Sequence, residues 1–208
     1  MGDASNPFSS GRPDDKINAW LELTRNDSGH LKAGDWMAAL VPYLHVQSTS
    51  PSMPHPSATF TYTVQPDHCN RMQSLHGGAA ATLFDFCTTL PLALVNRPGF
   101  WQFLGVSRTL NVTYFRPARS GEEVIIECQI LQIGKRLASL RGVMKRKSDG
   151  QILSICEHGK TRRMLALSSL LHNVRHLELR VQQQVRELIR HELVIESLVR
   201  FVVVVVVS

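Results

Sequence analysis

The sequence predicts an α+β fold in which one long buried helix is covered by an antiparallel sheet. Three observations carry this. Residues 77–95 (GGAAATLFDFCTTLPLALV) stay apolar for long enough to form a buried helix. Four strand-like runs follow, at 103–115, 122–133, 137–147 and 152–160, with only short turn signals between them: PARSG at 117–121, GKR at 134–136 and SDG at 148–150. No helical segment alternates with these strands, so a doubly wound parallel sheet is excluded.

Taken in chain order, residues 1–13 are rich in Ser, Gly, Pro and Asn and read as a disordered extension. Residues 14–25 read as a short helix, with Asp14 and Asp15 in its first turn and Ile17, Trp20, Leu21 and Leu23 on an apolar side. A strand is expected at 38–46 after a turn at 33–35, then a Ser- and Pro-rich loop at 48–56. ATFTYTV at 58–64 alternates and is β-branched and aromatic, hence a strand. Residues 66–74 form a turn region before the long helix, whose end Pro91 is expected to kink. Residues 165–200 differ: Leu170, Val174, Leu177, Val181, Val185 and Leu188 recur at steps of three and four, an amphipathic helix, and residues 201–207 are an apolar low-complexity run. The expected organisation is therefore an extension (1–13), one α+β domain (14–164) and a helical, apolar tail (165–208).

Composition narrows the function. Of 208 residues, 43% are hydrophobic and 7% aromatic, so the core rests on Val, Leu, Ile and Ala. The net charge of +6 suits an anionic partner. Lys135, Arg136, Arg141, Lys145, Arg146, Lys147, Lys160, Arg162 and Arg163 suggest a basic face on adjacent strands; a solvated surface and a phosphate-binding surface both fit it. Nucleic-acid binding ranks last, since the basic strands lack interleaved aromatics, a zinc motif or a recognition helix. The tail's apolar run falls short of the ~20 residues a membrane span needs, so no transmembrane segment is expected. Cys69, Cys87, Cys128 and Cys156 form no Cys-x-x-Cys pair and have no His at zinc spacing, so no metal site is expected and the thiols read as reduced. With no secretory signal and an acidic start, the expected compartment is the cytoplasm, with the mitochondrion second.

The chemistry centres on Gly77, Gly78 and Asp85. The first N–H groups of a helix have no internal partner and carry partial positive charge, and glycine lets a ligand approach them. That suits a carbonyl oxygen gaining negative charge. Tight packing beneath the sheet explains the two glycines equally well on spacing alone. Asp85 stands in an apolar run between Phe84 and Phe86, a costly place for a charge, which favours a functional role over a carboxylate satisfied by its neighbours. Gly77 and Asp85 are about 12 Å apart along one helix at ~1.5 Å per residue. One carbonyl group cannot touch both, so a joint role requires a second helix, supplied most simply by a second copy of the chain.

The segments 67–70 (DHCN), 75–85 (LHGGAAATLFD), 105–118 (GVSRTLNVTYFRPA), Gly134-Lys135 and 158–160 (HGK) together resemble the hotdog-fold acyl-CoA thioesterases, in the branch of the phenylacetate-pathway enzymes and thioesterase superfamily member 2. The likeness covers residues 58–163 well and 14–57 loosely, and leaves out the tail. It implies a hotdog fold and hydrolysis of a fatty or aryl acyl-CoA by a homodimer or homotetramer, with no cofactor beyond the coenzyme A of the substrate. It further implies that the Gly77 N–H polarises the thioester carbonyl, that Asp85 of the partner subunit activates water or attacks directly, and that Asn70 and His76 place water and thioester. Ser107 would assist Asp85, Gly78, Gly134, Lys135 and Arg136 would contact the substrate, and His158 would stand near the site. Arg108 departs from the smaller residue many relatives have there.

Two rival readings remain. An acyl-thioester dehydratase or hydratase needs a catalytic His in another helix context, whereas His76 directly precedes the glycine turn. A non-catalytic acyl-CoA-binding protein would not need Asn70, His76, Asp85 and Ser107 together.

Overall fold

The structure, a computed structural model, describes residues 11–26, 36, 37 and 39–162. They all fall within one unit, Met1–Arg163. The expected disorder of 1–10, the turn at 33–35 and the helical tail of 165–208 lie outside the described residues.

The elements are α1 (Pro13–Asn26), β1 (Leu44–Ser50), β2 (Ser57–Thr63), α2 (Gly77–Thr89), β3 (Val106–Tyr114), β4 (Glu123–Ile133), β5 (Leu137–Arg146) and β6 (Ile152–Thr161). The six strands form one antiparallel sheet in the order β1-β2-β4-β5-β6-β3, and α2 packs against β3, β4, β5 and β6. This is the hotdog fold expected of the sequence.

Four details correct the sequence reading. The first strand starts at Leu44 rather than 38, because Pro42 falls within a short 3₁₀ turn over Val41–Tyr43, and it runs to Ser50 into the expected loop. The last four strands are not a simple meander: β4, β5 and β6 are joined by hairpins, but β3 crosses over to pair with β6 at the far edge. Helix α2 ends at Thr89, and Leu90–Leu94 continues as 3₁₀. Pro91 lacks an N–H and its ring conflicts with the carbonyl one turn back, so the α geometry cannot pass it. Finally, Pro13, assigned above to the extension, opens α1.

The core is aliphatic and aromatic, with Phe60, Tyr62, Leu83, Phe84, Trp101, Ile126 and Ile130 all buried. α1 adds Ile17 and Leu21, which are fully buried. The close seat of α2 on the sheet depends on Gly142 of β5: a Cβ there would lie 2.7 Å from Phe84 Cδ1 and 2.9 Å from Thr88 Cγ2. The stretch Gly77–Leu94 has the length and hydropathy of a membrane span, but more than half of it is buried beneath the sheet, as befits a core helix. The hairpin between β5 and β6 turns at Gly150, whose φ of +70° explains the glycine.

Candidate active site

The start of α2 is held from three sides. His76 is its N-cap, and its Nδ1 accepts the Gly78 N–H at 3.0 Å. That bond fixes the hydrogen of the neutral ring on Nε2. The His76 carbonyl accepts from Ala80 N at 3.0 Å, and the Tyr114 hydroxyl donates to the Gly77 carbonyl at 2.7 Å. The peptide joining Gly77 and Gly78 is thus gripped at both its ends. The Gly77 N–H itself, on the preceding peptide, has no acceptor among the described residues.

Gly77 lines a cavity of about 330 Å³ together with Asn70, Ala80, Tyr114, Arg116, Met144 and Leu153, among others. Asn70 Oδ1 is committed to its own loop, accepting from Met72 N at 2.9 Å and, at longer range, from Ser74 N and Ser74 Oγ. Its side-chain NH₂ group is the part left for a ligand. This end of the site therefore offers donors.

The other end offers acceptors. Ser107 Oγ donates to Asp85 Oδ1 at 2.6 Å, and His158 Nε2 lies 3.0 Å from Ser107 Oγ and 3.3 Å from Asp85 Oδ1. Behind the ring, His158 Nδ1 is 2.7 Å from Thr88 Oγ1, whose own hydrogen goes to the Phe84 carbonyl at 2.6 Å. Thr88 must then accept, so Nδ1 carries the imidazole hydrogen and Nε2 is bare in the neutral ring. Burial, reinforced by the Lys160 charge and only partly countered by Asp85, lowers the His158 pKa to about 4. The result is a proton-poor cluster: one serine hydrogen stands between two acceptor atoms, Asp85 Oδ1 and His158 Nε2.

A register shift in the β3–β6 pairing between Ser107 and Thr109 places Arg108 in a bulge, the device that re-aims side chains beside functional sites. On β6, Cys156, His158 and Lys160 alternate inward and are all buried. Among the described residues no cluster has the composition of a metal site.

The structure thus brings Asp85, Ser107 and His158 together, and separately gathers Asn70, His76, Gly77 and Gly78. The two groups sit at opposite ends of β3, next to Ser107 and Tyr114 respectively. Gly134, Lys135 and Arg136 form the β4–β5 turn on the Asp85 side, where the Arg136 carbonyl accepts from Arg162 N at 2.8 Å and the Gly134 carbonyl accepts from Trp101 Nε1 at 2.8 Å. Lys135 and Arg136 are exposed. Sequence reasoning missed Thr88, Thr89 and Tyr114, and it placed Lys160 on a basic surface face whereas Lys160 is buried. The alternation of 156, 158 and 160 was the available signal for Lys160, since it puts an ammonium on the core face.

Comparison with known proteins fits this arrangement. The model of the thioesterase superfamily matches residues 72–153. Those residues are therefore similar to the thioesterase superfamily. Acyl-coenzyme A thioesterase 13 of Mus musculus is 37% identical over 97 residues, which is 47% of this chain and 66% of the mouse protein. The Homo sapiens protein of the same name is 35% identical over the same shares. The matched stretch therefore stops just short of two thirds of these relatives. Among solved structures, zebrafish thioesterase superfamily member 2 aligns with a TM-score of 0.59 and 26% identity, covering 71% of this chain and 98% of its own. The Mus musculus protein gives 0.57 and 25%, covering 73% and 98%.

Proposed function

We propose that the chain is an acyl-CoA thioesterase, hydrolysing a fatty or aryl acyl-CoA to the free acid and coenzyme A. The observation that carries this reading is the proton-poor cluster of Asp85, Ser107 and His158 set against a donor-rich helix start at Gly77. The Asp85 carboxylate, pointed by the Ser107 hydroxyl, is an acceptor that can take a proton from water, which is what a general base must do. An unpartnered N–H and an amide NH₂ stabilise a carbonyl oxygen as it becomes an oxyanion.

The reaction proceeds as follows. The Gly77 N–H and Asn70 hold the thioester oxygen. Asp85 takes a proton from water, whose oxygen bonds to the carbonyl carbon. Asp85 holds the proton gained, with Ser107 keeping the carboxyl oriented. The tetrahedral intermediate collapses, the C–S bond breaks, and the leaving thiolate takes that proton back. Water and thioester become acid and thiol. His76 caps the helix. Lys135 and Arg136, exposed on the Asp85 side, suit the phosphates of coenzyme A.

Because the two halves lie at opposite ends of β3, one chain does not bring them onto one carbonyl. β3 is an edge strand with Val106 and Tyr114 exposed. Pairing it antiparallel with its own copy, about a centre near Leu110 and Asn111, sets Ser107 of one chain beside Tyr114 of the other. A homodimer then holds two complete sites. The hydratase reading is weaker, since His158 is 1% exposed and stands behind Asp85 rather than against a substrate.

Release of thiol from a panel of fatty and aryl acyl-CoA substrates tests the proposal. Asp85→Asn is expected to lower kcat by about 10²-fold or more. A chain that releases no thiol, yet melts at higher temperature with acyl-CoA, is a binding protein and overturns it. Loss of enoyl-CoA absorbance without thiol release would favour the hydratase.

A further inference from the structure

Lys160 is a buried charge that the reaction described above does not use. It is 5% exposed, and among the described residues no carboxylate lies within ion-pair distance of it. Its Nζ donates to Thr89 Oγ1 at 2.9 Å, and Thr89 in turn donates to the carbonyl of Asp85 at 2.7 Å. The neighbouring Thr88 makes the same relay one residue earlier, between His158 and the Phe84 carbonyl. Consecutive threonines on α2 thus lock consecutive inward side chains of β6 to the helix turn that bears Asp85. An ammonium without a bonded anion is costly to bury, and a fold that needed only packing would be served better by an apolar side chain of the same shape.

We propose that Lys160, held against the Asp85 turn by the Thr89 hydroxyl, is a positioning residue that keeps the Asp85 carboxylate charged and His158 neutral. This rests on Asp85 being the base. The titratable groups that register the Asp85 charge are His158, Lys160 and Cys156, all from β6. β3 contributes the Ser107 hydroxyl, and the β5 residues paired with Lys160 and His158 are Ala138 and Leu140, which carry no charge. Lys160 is therefore the one cation among these groups as long as His158 stays neutral. Its charge attracts an anion at Asp85 and disfavours a second cation at His158. Burial lowers the Lys160 pKa to about 8, partly offset by attraction to Asp85, which leaves it charged at neutral pH.

The test is the pH–rate profile of thiol release by the full chain, measured for wild type, Lys160→Met, Thr89→Val and Thr89→Ser. Removing the cation is expected to move the acid limb of Lys160→Met up by about one pH unit, with the plateau rate and the dimer retained. Thr89→Val, which frees the ammonium from its anchor, shifts the limb the same way, and Thr89→Ser leaves it in place. If Lys160→Met fails to fold, the Val and Ser pair decides. An acid limb that coincides in all four proteins overturns the proposal and leaves Lys160 a structural residue. The Asp85 carboxyl is also titrated by carbon-13 NMR in wild type and Lys160→Met, with Asp85→Asn for assignment. A wild type that releases no thiol then overturns the hydrolase reading, while the NMR titration still decides the role of Lys160.

Discussion

The Ser107 hydroxyl donates to Asp85 Oδ1 at 2.6 Å while standing 3.0 Å from the bare Nε2 of His158. One hydrogen therefore points the carboxylate and bridges it to the imidazole. Ser107→Ala removes that bridge without opening the core, because Ser107 is exposed. Its kcat for thiol release is expected to fall roughly tenfold to a hundredfold, with the melting temperature little changed.

Gly77→Pro deletes the proposed oxyanion donor with little disturbance of the helix. Proline suits the first helical position, and His76, with φ −59° and ψ 135°, already has the backbone a pre-proline residue requires. A Cβ at Gly77 would meet Tyr114 at an ordinary 3.6 Å. Circular dichroism should show the fold intact while kcat drops by about 10²-fold or more.

Mixing these lesions tests whether the site is shared. In a dimer of Gly77→Pro with Asp85→Asn, one site carries both defects and the other carries neither. Random exchange between the two inactive proteins should restore about a quarter of wild-type activity, since half the dimers are mixed and each has one sound site. Two inactive proteins that stay inactive after unfolding and refolding together would show that the site is not shared between subunits.

Stability should fall on the acid side through His158. Its pKa drops from 6.5 to about 4 on folding, chiefly by burial, so between these values the unfolded chain binds the extra proton. The contribution is complete above pH 6.5 and is lost as the pH falls toward 4. The melting temperature should decline by several degrees over that window, and less steeply in His158→Gln, as followed by calorimetry.

Gly142→Ala should loosen the seat of α2. The added methyl meets Phe84 and Thr88 at under 3 Å, and these two flank the Asp85 turn. A loss of about 1–3 kcal/mol in chemical denaturation is expected, together with reduced activity.

Much of the fold was legible because its periodicities were clean. The apolar run of α2 and the alternation of β2, β4, β5 and β6 announce a helix under an antiparallel sheet. What stayed hidden was long-range: nothing in residues 106–114 says that β3 pairs with β6 rather than β4, because edge position depends on the crossover and not on pattern. Gly77 and Asp85 stood out as residues in the wrong surroundings for their type. Thr88 and Thr89 did not, since a threonine near a helix end is commonplace, and only the side chains of β6 give them something to hold. His76 has its Nδ1 occupied by the Gly78 N–H, so it caps the helix, and its Nε2–H is the part left for water or thioester.

Placing the donor end and the acceptor end at the two extremities of β3 has a consequence for how such a hydrolase behaves in solution. Under the proposed pairing, turnover per chain would depend on how many chains are present: at high dilution each molecule would hold two useless halves, and on concentration they would become whole. Abundance alone would then throttle thioester breakdown, with no effector required.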